Sequence, residues 1–416
     1  MWNDFACCKR IVRNVIVFII LISSFFQINV KTDNVVYAED VDENVELEKE
    51  FSENVENLLD DIDTNELNDF LANDFNLNFF DVTDFKGLIV KILNGNYFDE
   101  YNNIFESIKT FIKGEFKNLL KIFLVFLVIV LLFELFNNLC AEKYIEIKSS
   151  VKIIFSIIIS ILVIYLYKQI SNDVLNIVQK VFSFSKIIFP ILLSLILVSG
   201  SVGTHSVYSS LSLFFLNTGS YLFTYVLIPI SVSIFILSLV GSVFSKNRFF
   251  RVIDIFKSIF KYSIIIFFTI FGLFSTVNVV ASSVKDGVSV RLTKYAIKNY
   301  IPIVGGYVSQ GFDFIHSCSV VVKNAVGVCG IFVLLFLVLK PILIFFIYML
   351  MFKILSAVVV LIGNVEYSDL FNNVSKSISY FLAVIVGLFF IVFVFIYLLI
   401  ISVSVIWWFI NLFFQL

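Results

Sequence analysis

Two histidines and five cysteines are all that 416 residues supply of the side chains best suited to metal and thiol chemistry. The cysteines stand at 7, 8, 140, 318 and 329 without a CxxC pair, which argues against a disulfide framework and a zinc knuckle. Asp313, His316 and Cys318 fall within six residues, but His205 is the sole other histidine, so a metal site lacks ligands. No G-x-S-x-G, H-E-x-x-H, Walker A loop or G-x-G-x-x-G occurs, and neither an enzyme nor a cofactor is expected. Charged residues are scarce at 15%, against about 25% in soluble domains. The cations lie beside apolar runs, which argues against nucleic-acid recognition.

What is present is grease. Hydrophobic residues make up 59% of the chain, 51 of them phenylalanine, and the mean hydropathy is +0.98. Such a chain is expected to be an all-α polytopic membrane protein. Its charge is also segregated. Glu39–Asp84 holds 17 acidic residues and one basic residue, Lys49, a balance of −16 that leaves +14 for the rest of a chain of net charge −2.

Lys9, Arg10 and Arg13 precede the apolar "IVFIILISSFF", and Val36 and Ala38 stand three and one residues before a potential cleavage point. Residues 1–38 read as a signal peptide on that pattern, with an uncleaved anchor as the alternative. Residues 39–114 are then an acidic extracytoplasmic region, either a solvated tail or a docking arm. Residues 115–416 form the membrane domain.

A crossing takes about 20 apolar residues. Leu119–Leu139 and Val151–Leu166 qualify. Ile187–Ser245 then runs 59 residues without Asp, Glu, Lys or Arg, so it is expected to turn at "VSGSVGTHS" and again at "NTGS", giving crossings near 182–200, 204–222 and 223–243. Lys246, Arg248, Arg251, Lys257 and Lys261 against Asp254 assign the next loop to the cytoplasm. Tyr262–Ser282 exits again, Lys340-Pro341 suggests a helical hairpin within 325–363, and the charge-free end follows. The expectation is eight or nine crossings.

The stretch 284–324 concentrates the helix breakers. Pro302 removes a donor and Gly305-Gly306 permits positive φ, so one helix is expected to end near Tyr300 and another to start near Ser309. Broken helices at membrane depth line wet cavities or protein, whereas a surface loop with a basic stripe (Arg291, Lys294, Lys298) is the bland reading. Pro302, Gly305, Gly306, Asp313, His316, Lys323 and Asn324 are the candidate pore or gate residues. Asp313 and His316 share a helical spacing suited to proton or ion coupling, with exposure to water at the outer surface as the alternative. Lys323-Asn324 opens a long apolar helix, where the lysine is expected to snorkel to the interface rather than line a pore.

"KYAIKNYIPIVGG" and "CSVVVKNAVG", within Asp286–Leu335, closely resemble the most recognisable stretch of the stage III sporulation protein AE family of endospore-forming Firmicutes. The order of features along the chain is similar too. The resemblance implies a component of a secretion-like channel complex, in the mother-cell membrane that surrounds the forespore. It implies as partners the other stage III sporulation A-operon proteins, including an ATPase and ring-forming components, and stage II sporulation protein Q across the intermembrane space. Self-association into a homo-oligomer is compatible with it. It carries over no catalytic residue.

Three functions compete on the residues alone. The broken segment favours a channel or export-gate element, the acidic arm a non-conducting scaffold that recruits partners. A secondary transporter would need a repeated broken segment, and no second one is evident.

Overall fold

In a computed structural model, residues 64–74, 84–93, 101–139, 145–244, 249, 251–275 and 305–414 are described. The expected signal peptide, most of the acidic region and Pro302 lie outside them, as does the expected helix end near Tyr300.

Every element among the described residues is helical. Two short helices, α1 (Asn65–Asp74) and α2 (Phe85–Leu93), precede the long ones. Asn68 ties them together, its Oδ1 accepting from the Phe85 amide at 2.9 Å. The long helices are α3 (Tyr101–Leu139) and α4 (Ile145–Val198), then α5, α6 (Arg251–Ser275), α7 (Gly305–Ile362) and α8 (Val365–Phe414). α5 starts as Val202–Phe214, passes through π-helical turns at Phe215–Gly219 and Leu222–Leu227, and ends as Ile228–Phe244. Six helices among the described residues are long and apolar enough to cross a membrane. This is the polytopic all-α architecture that the composition predicts.

Among the described residues the long apolar helices are fewer than the expected crossings, because several breaker signals are overridden. Lys340-Pro341 makes no hairpin: α7 runs 58 residues through Pro341. α4 likewise runs 54 residues through Pro190, joining two expected crossings. A proline costs one hydrogen bond and a kink, but a turn in hydrocarbon would strand several backbone groups, so the kinked helix wins. "NTGS" does not turn either. Its residues are absorbed into the π-helical stretch, where a Cβ on Gly219 would lie 3.3 Å from Phe267 and 3.4 Å from Phe182. Gly219 serves close packing there, not reversal. α7 begins at Gly305, four residues before the expected start.

Real reversals occur where φ turns positive, at Gly200 (82°) and Gly363 (104°). Gly200 lies in the predicted "VSGSVG" turn. After Gly363, Asn364 caps α8, its Oδ1 accepting from the Tyr367 amide at 3.1 Å.

The helices alternate in direction. α7 and α8 form an antiparallel hairpin, pairing Ser356 with Ser368 (2.9 Å) near the turn, and Met349 O with Ser375 (2.8 Å) further along. α4 runs antiparallel to α7 and parallel to α8: Ser156 meets Tyr367 (3.1 Å) at one end, and the Phe189 ring meets Phe395 (4.4 Å) towards the other. α5 packs on α4, where Phe235 and Tyr167 stack at 3.4 Å, and Phe381 of α8 lies 5.1 Å from the same tyrosine. Phe260 lies against Tyr380 and Phe268 against Phe390, which sets α6 parallel to α8.

One end of the bundle thus gathers the links 139–145, 244–251 and 362–365. Lys148 and Arg251 lie at this end, the one expected to face the cytoplasm. Glu134 lies at this end, taking hydrogen bonds from Asn137 (3.4 Å) and Asn364 (3.3 Å). The other end gathers the α4–α5 turn, the start of α7 and the outer half of α8.

The core is aromatic. Phe189, Phe215, Phe271 and Phe395 converge with centroid separations of 4.4 to 6.2 Å, all four rings being fully or almost fully buried. Lipid gives no hydrophobic drive for helices to associate, so dispersion between such rings and close backbone approach have to supply it.

Candidate functional site at the outer end of the bundle

α7 brings His316, Lys323, Asn324, Gly327 and Gly330 along one outer stretch. Gly305, Gly306 and Asp313 lie in its first turns. Gly327 and Gly330 explain how α7 comes so near its neighbours. A Cβ on Gly327 would collide with Ile400 of α8, its Cγ1 and, at 2.7 Å, its Cδ1. One on Gly330 would stand 3.2 Å from Ile188 of α4. The two glycines therefore admit α8 and α4 to backbone range.

Lys323 exploits that approach. It is 0% exposed, and its Nζ donates to the Ile400 carbonyl at 2.6 Å and the Leu399 carbonyl at 3.3 Å. Ser402 Oγ donates to the same Leu399 oxygen at 2.8 Å. The expected snorkelling anchor is thus corrected: the side chain crosses to α8 instead of reaching an interface. A carbonyl has two lone pairs, so Leu399 and Ile400 can accept from Lys323 while keeping helical partners. Burying an ammonium group is costly, and direct carbonyl contacts offset part of that cost.

His316 makes the second tie. Its Nδ1 lies 2.7 Å from the Ser199 carbonyl in the α4–α5 turn, joining the start of α7 to α4. Nε2 is buried without a partner, as are Asn324 Oδ1 and the Tyr208 hydroxyl on α5. Tyr208 is fully buried, its ring 6.4 Å from Phe395. The outer end is therefore a tightly packed zone whose polar groups bond across helices at a few points.

Among the described residues, no three His, Cys, Asp or Glu side chains group as a metal site would require. Cys318 and Cys329 are free and buried. Of the sequence-predicted residues, the structure brings Lys323 and His316 into interhelical contacts and places Asn324 beside them. The partners Ser199, Leu399 and Ile400 were not foreseen. All three act through backbone carbonyls, which no side-chain pattern announces.

The family description "Stage III sporulation protein AE" matches residues 83–403, which include all six long helices' apolar parts. Stage III sporulation protein AE of Bacillus subtilis (strain 168) is 26% identical over 216 residues, 51% of this chain and 53% of that protein. The match spans about half the length of that relative. No solved structure matches. Since the family match covers well over half of the residues, Lys323 and its carbonyl partners included, the chain belongs to the stage III sporulation protein AE family.

Proposed function

We propose that the protein is a membrane component of the channel complex joining mother cell and forespore, and serves there as a channel or export-gate element. It sits in the mother-cell membrane around the forespore and catalyses no reaction itself. It works with the other A-operon proteins, an ATPase and ring-forming components among them, and with stage II sporulation protein Q across the intermembrane space. Family membership supports the sporulation role. The gate role rests on Lys323, a fully buried cation held only by carbonyl oxygens of a neighbouring helix among its hydrogen-bond partners.

Such a contact ties two helices without fixing them. Carbonyl partners repeat every turn of α8, so Lys323 can exchange one pair for the next as the helices shift, whereas a carboxylate partner would hold one register. Ionisable groups at membrane depth are retained mainly for function. The test is Lys323→Met in a spore-forming host with no other copy. Methionine keeps the linear volume and removes the need to bury an ammonium group. The variant is expected to insert and accumulate normally yet give few heat-resistant spores. Sporulation at the wild-type frequency would leave the scaffold reading in its place.

A further inference from the structure

α4 contains a segment unlike the rest of the bundle. Between Tyr167 and Ile187 its exposed positions are Lys168, Gln169, Asn172, Asp173, Asn176, Gln179, Ser183 and Lys186, with Lys180 half-buried. Their spacings of three and four residues make one continuous polar stripe. Its opposite face is apolar and buried, with Ile170, Val174, Val178, Val181 and Phe182 all at 3% exposure or less. The stripe is about 27 Å long at 1.5 Å per residue, close to the thickness of a hydrocarbon layer.

Depth is what makes it unusual. At one end of the stripe Tyr167 lies 5.1 Å from Phe381, and just past the other Phe189 lies 4.4 Å from Phe395. The stripe therefore runs beside α8 between Phe381 and Phe395, within a segment, 377–402, that has no charged residue. At the same depth α6 is apolar and open: Phe268 packs on Phe390 and Phe271 on Phe395, while Ile266 and Leu273 are 56% and 62% exposed. The α6 flank suits lipid. The α4 flank does not, because exposed ionisable groups in hydrocarbon are too costly.

Neighbouring helices extend the polar flank. Lys340 of α7 is exposed, and Tyr348, two turns further on, lies within electrostatic reach of both Asp173 of α4 and Glu115 of α3. Three helices thus place charge at the level where α6 presents bare hydrocarbon-like surface.

We propose that this flank, the α4 stripe with Lys340 and Glu115 beside it, is the wall of a water-filled path through the membrane that favours small anions. The proposal rests on the channel reading above and adds which surface conducts. Lys168, Lys180, Lys186 and Lys340 outnumber Asp173 and Glu115, so the wall is net positive. An excess of one sign of charge concentrates counter-ions, by about 10–10³-fold in encounter rate where a cleft is lined by one sign alone.

Single cysteines in the full-length protein test this, in a background whose native cysteines are replaced and in sporulating cells. Asn172→Cys, Asn176→Cys and Gln179→Cys probe the stripe, and Ile266→Cys and Leu273→Cys probe α6 at the same depth. The probes are two membrane-impermeant methanethiosulfonates, one anionic and one cationic. The stripe positions are expected to react at least about tenfold faster than the α6 positions, with the anionic reagent favoured. Lys180→Glu with Lys340→Glu should abolish that preference and leave cationic labelling intact. Equal labelling of both flanks would show that this whole level lies in water, and protection of both would show the stripe to be covered by protein; either overturns the proposal. Spore counts of the same strains report the channel-complex reading separately. A strain that sporulates only with this protein present but fails the labelling pattern refutes the wall and not the role.

Discussion

Replacing Gly327 by alanine should change sign in its effect on stability according to what stands opposite. Alanine improves helix propensity by about 1 kcal/mol over glycine. At Gly114, where a new Cβ meets nothing within 4 Å, that gain should appear undiminished. At Gly327 the same methyl meets Cγ1 and Cδ1 of Ile400. Isoleucine is branched at Cβ and holds one χ1 rotamer in a helix, so Cγ1 cannot swing aside cheaply. Overpacking of this kind costs about 1–3 kcal/mol, which turns the net effect into a loss of up to about 2 kcal/mol. Ile400→Ala by itself should cost about 2–5 kcal/mol through the cavity it leaves. In that background Gly327→Ala fills space instead of colliding, and should stabilise by about 1 kcal/mol or more. The double-mutant cycle, read by denaturant unfolding of the purified protein in micelles, should therefore give a coupling of about 1–3 kcal/mol. Equal destabilisation by Gly327→Ala in both backgrounds would refute the close approach of α7 and α8. It would also remove the reason why Lys323 can reach the α8 backbone.

The α7–α8 turn and the Lys323 contact carry further expectations. Asn364→Ala removes the cap on α8 and a hydrogen bond to Glu134, costing about 1 kcal/mol in the same unfolding assay. Lys152→Ala breaks an ion pair with Glu366 whose partners are 44% and 49% exposed, so at most about 1 kcal/mol is lost, and less in high salt. Gly363→Ala forces a Cβ onto a φ of 104° and should cost about 1–3 kcal/mol. Lys323→Glu sets a carboxylate against the Leu399 and Ile400 oxygens and should prevent accumulation in the membrane, visible by immunoblot, where Lys323→Met accumulates. Reporter fusions at 246–250 should report cytoplasm and those at 199–201 the outside; the same side for both would break the alternating helix order.

Much of the fold is legible because lipid permits so few solutions. Composition and charge asymmetry lead directly to an all-α bundle, and the "VSGSVG" turn falls where Gly200 does adopt positive φ. What misleads is the assumption that apolar runs longer than a bilayer must reverse. In Ile187–Ser245 one of two expected turns forms and the other does not, although "NTGS" has the better turn composition. The difference lies in the surroundings. Gly219 faces Phe182 and Phe267, and packing against those rings rewards a helix that continues. Lys340-Pro341 shows the same effect, since Pro341 is held in a helix whose neighbours on α8 run alongside it without interruption.

The site divides along a similar line. Lys323 and His316 stand out in sequence because ionisable residues are rare in apolar surroundings, and both make interhelical hydrogen bonds. Their partners do not stand out, since any residue contributes the same carbonyl. The only trace they leave is indirect. Backbone can be reached by a side chain from a facing helix only where the two helices come unusually close, and that requires small residues one turn from the donor. Gly327 lies four residues after Lys323 and meets Ile400, the residue whose carbonyl Lys323 holds at 2.6 Å. A buried lysine followed at i+4 by glycine thus has a physical reading of its own: the glycine admits the facing helix, and the lysine bonds to the backbone that has been admitted.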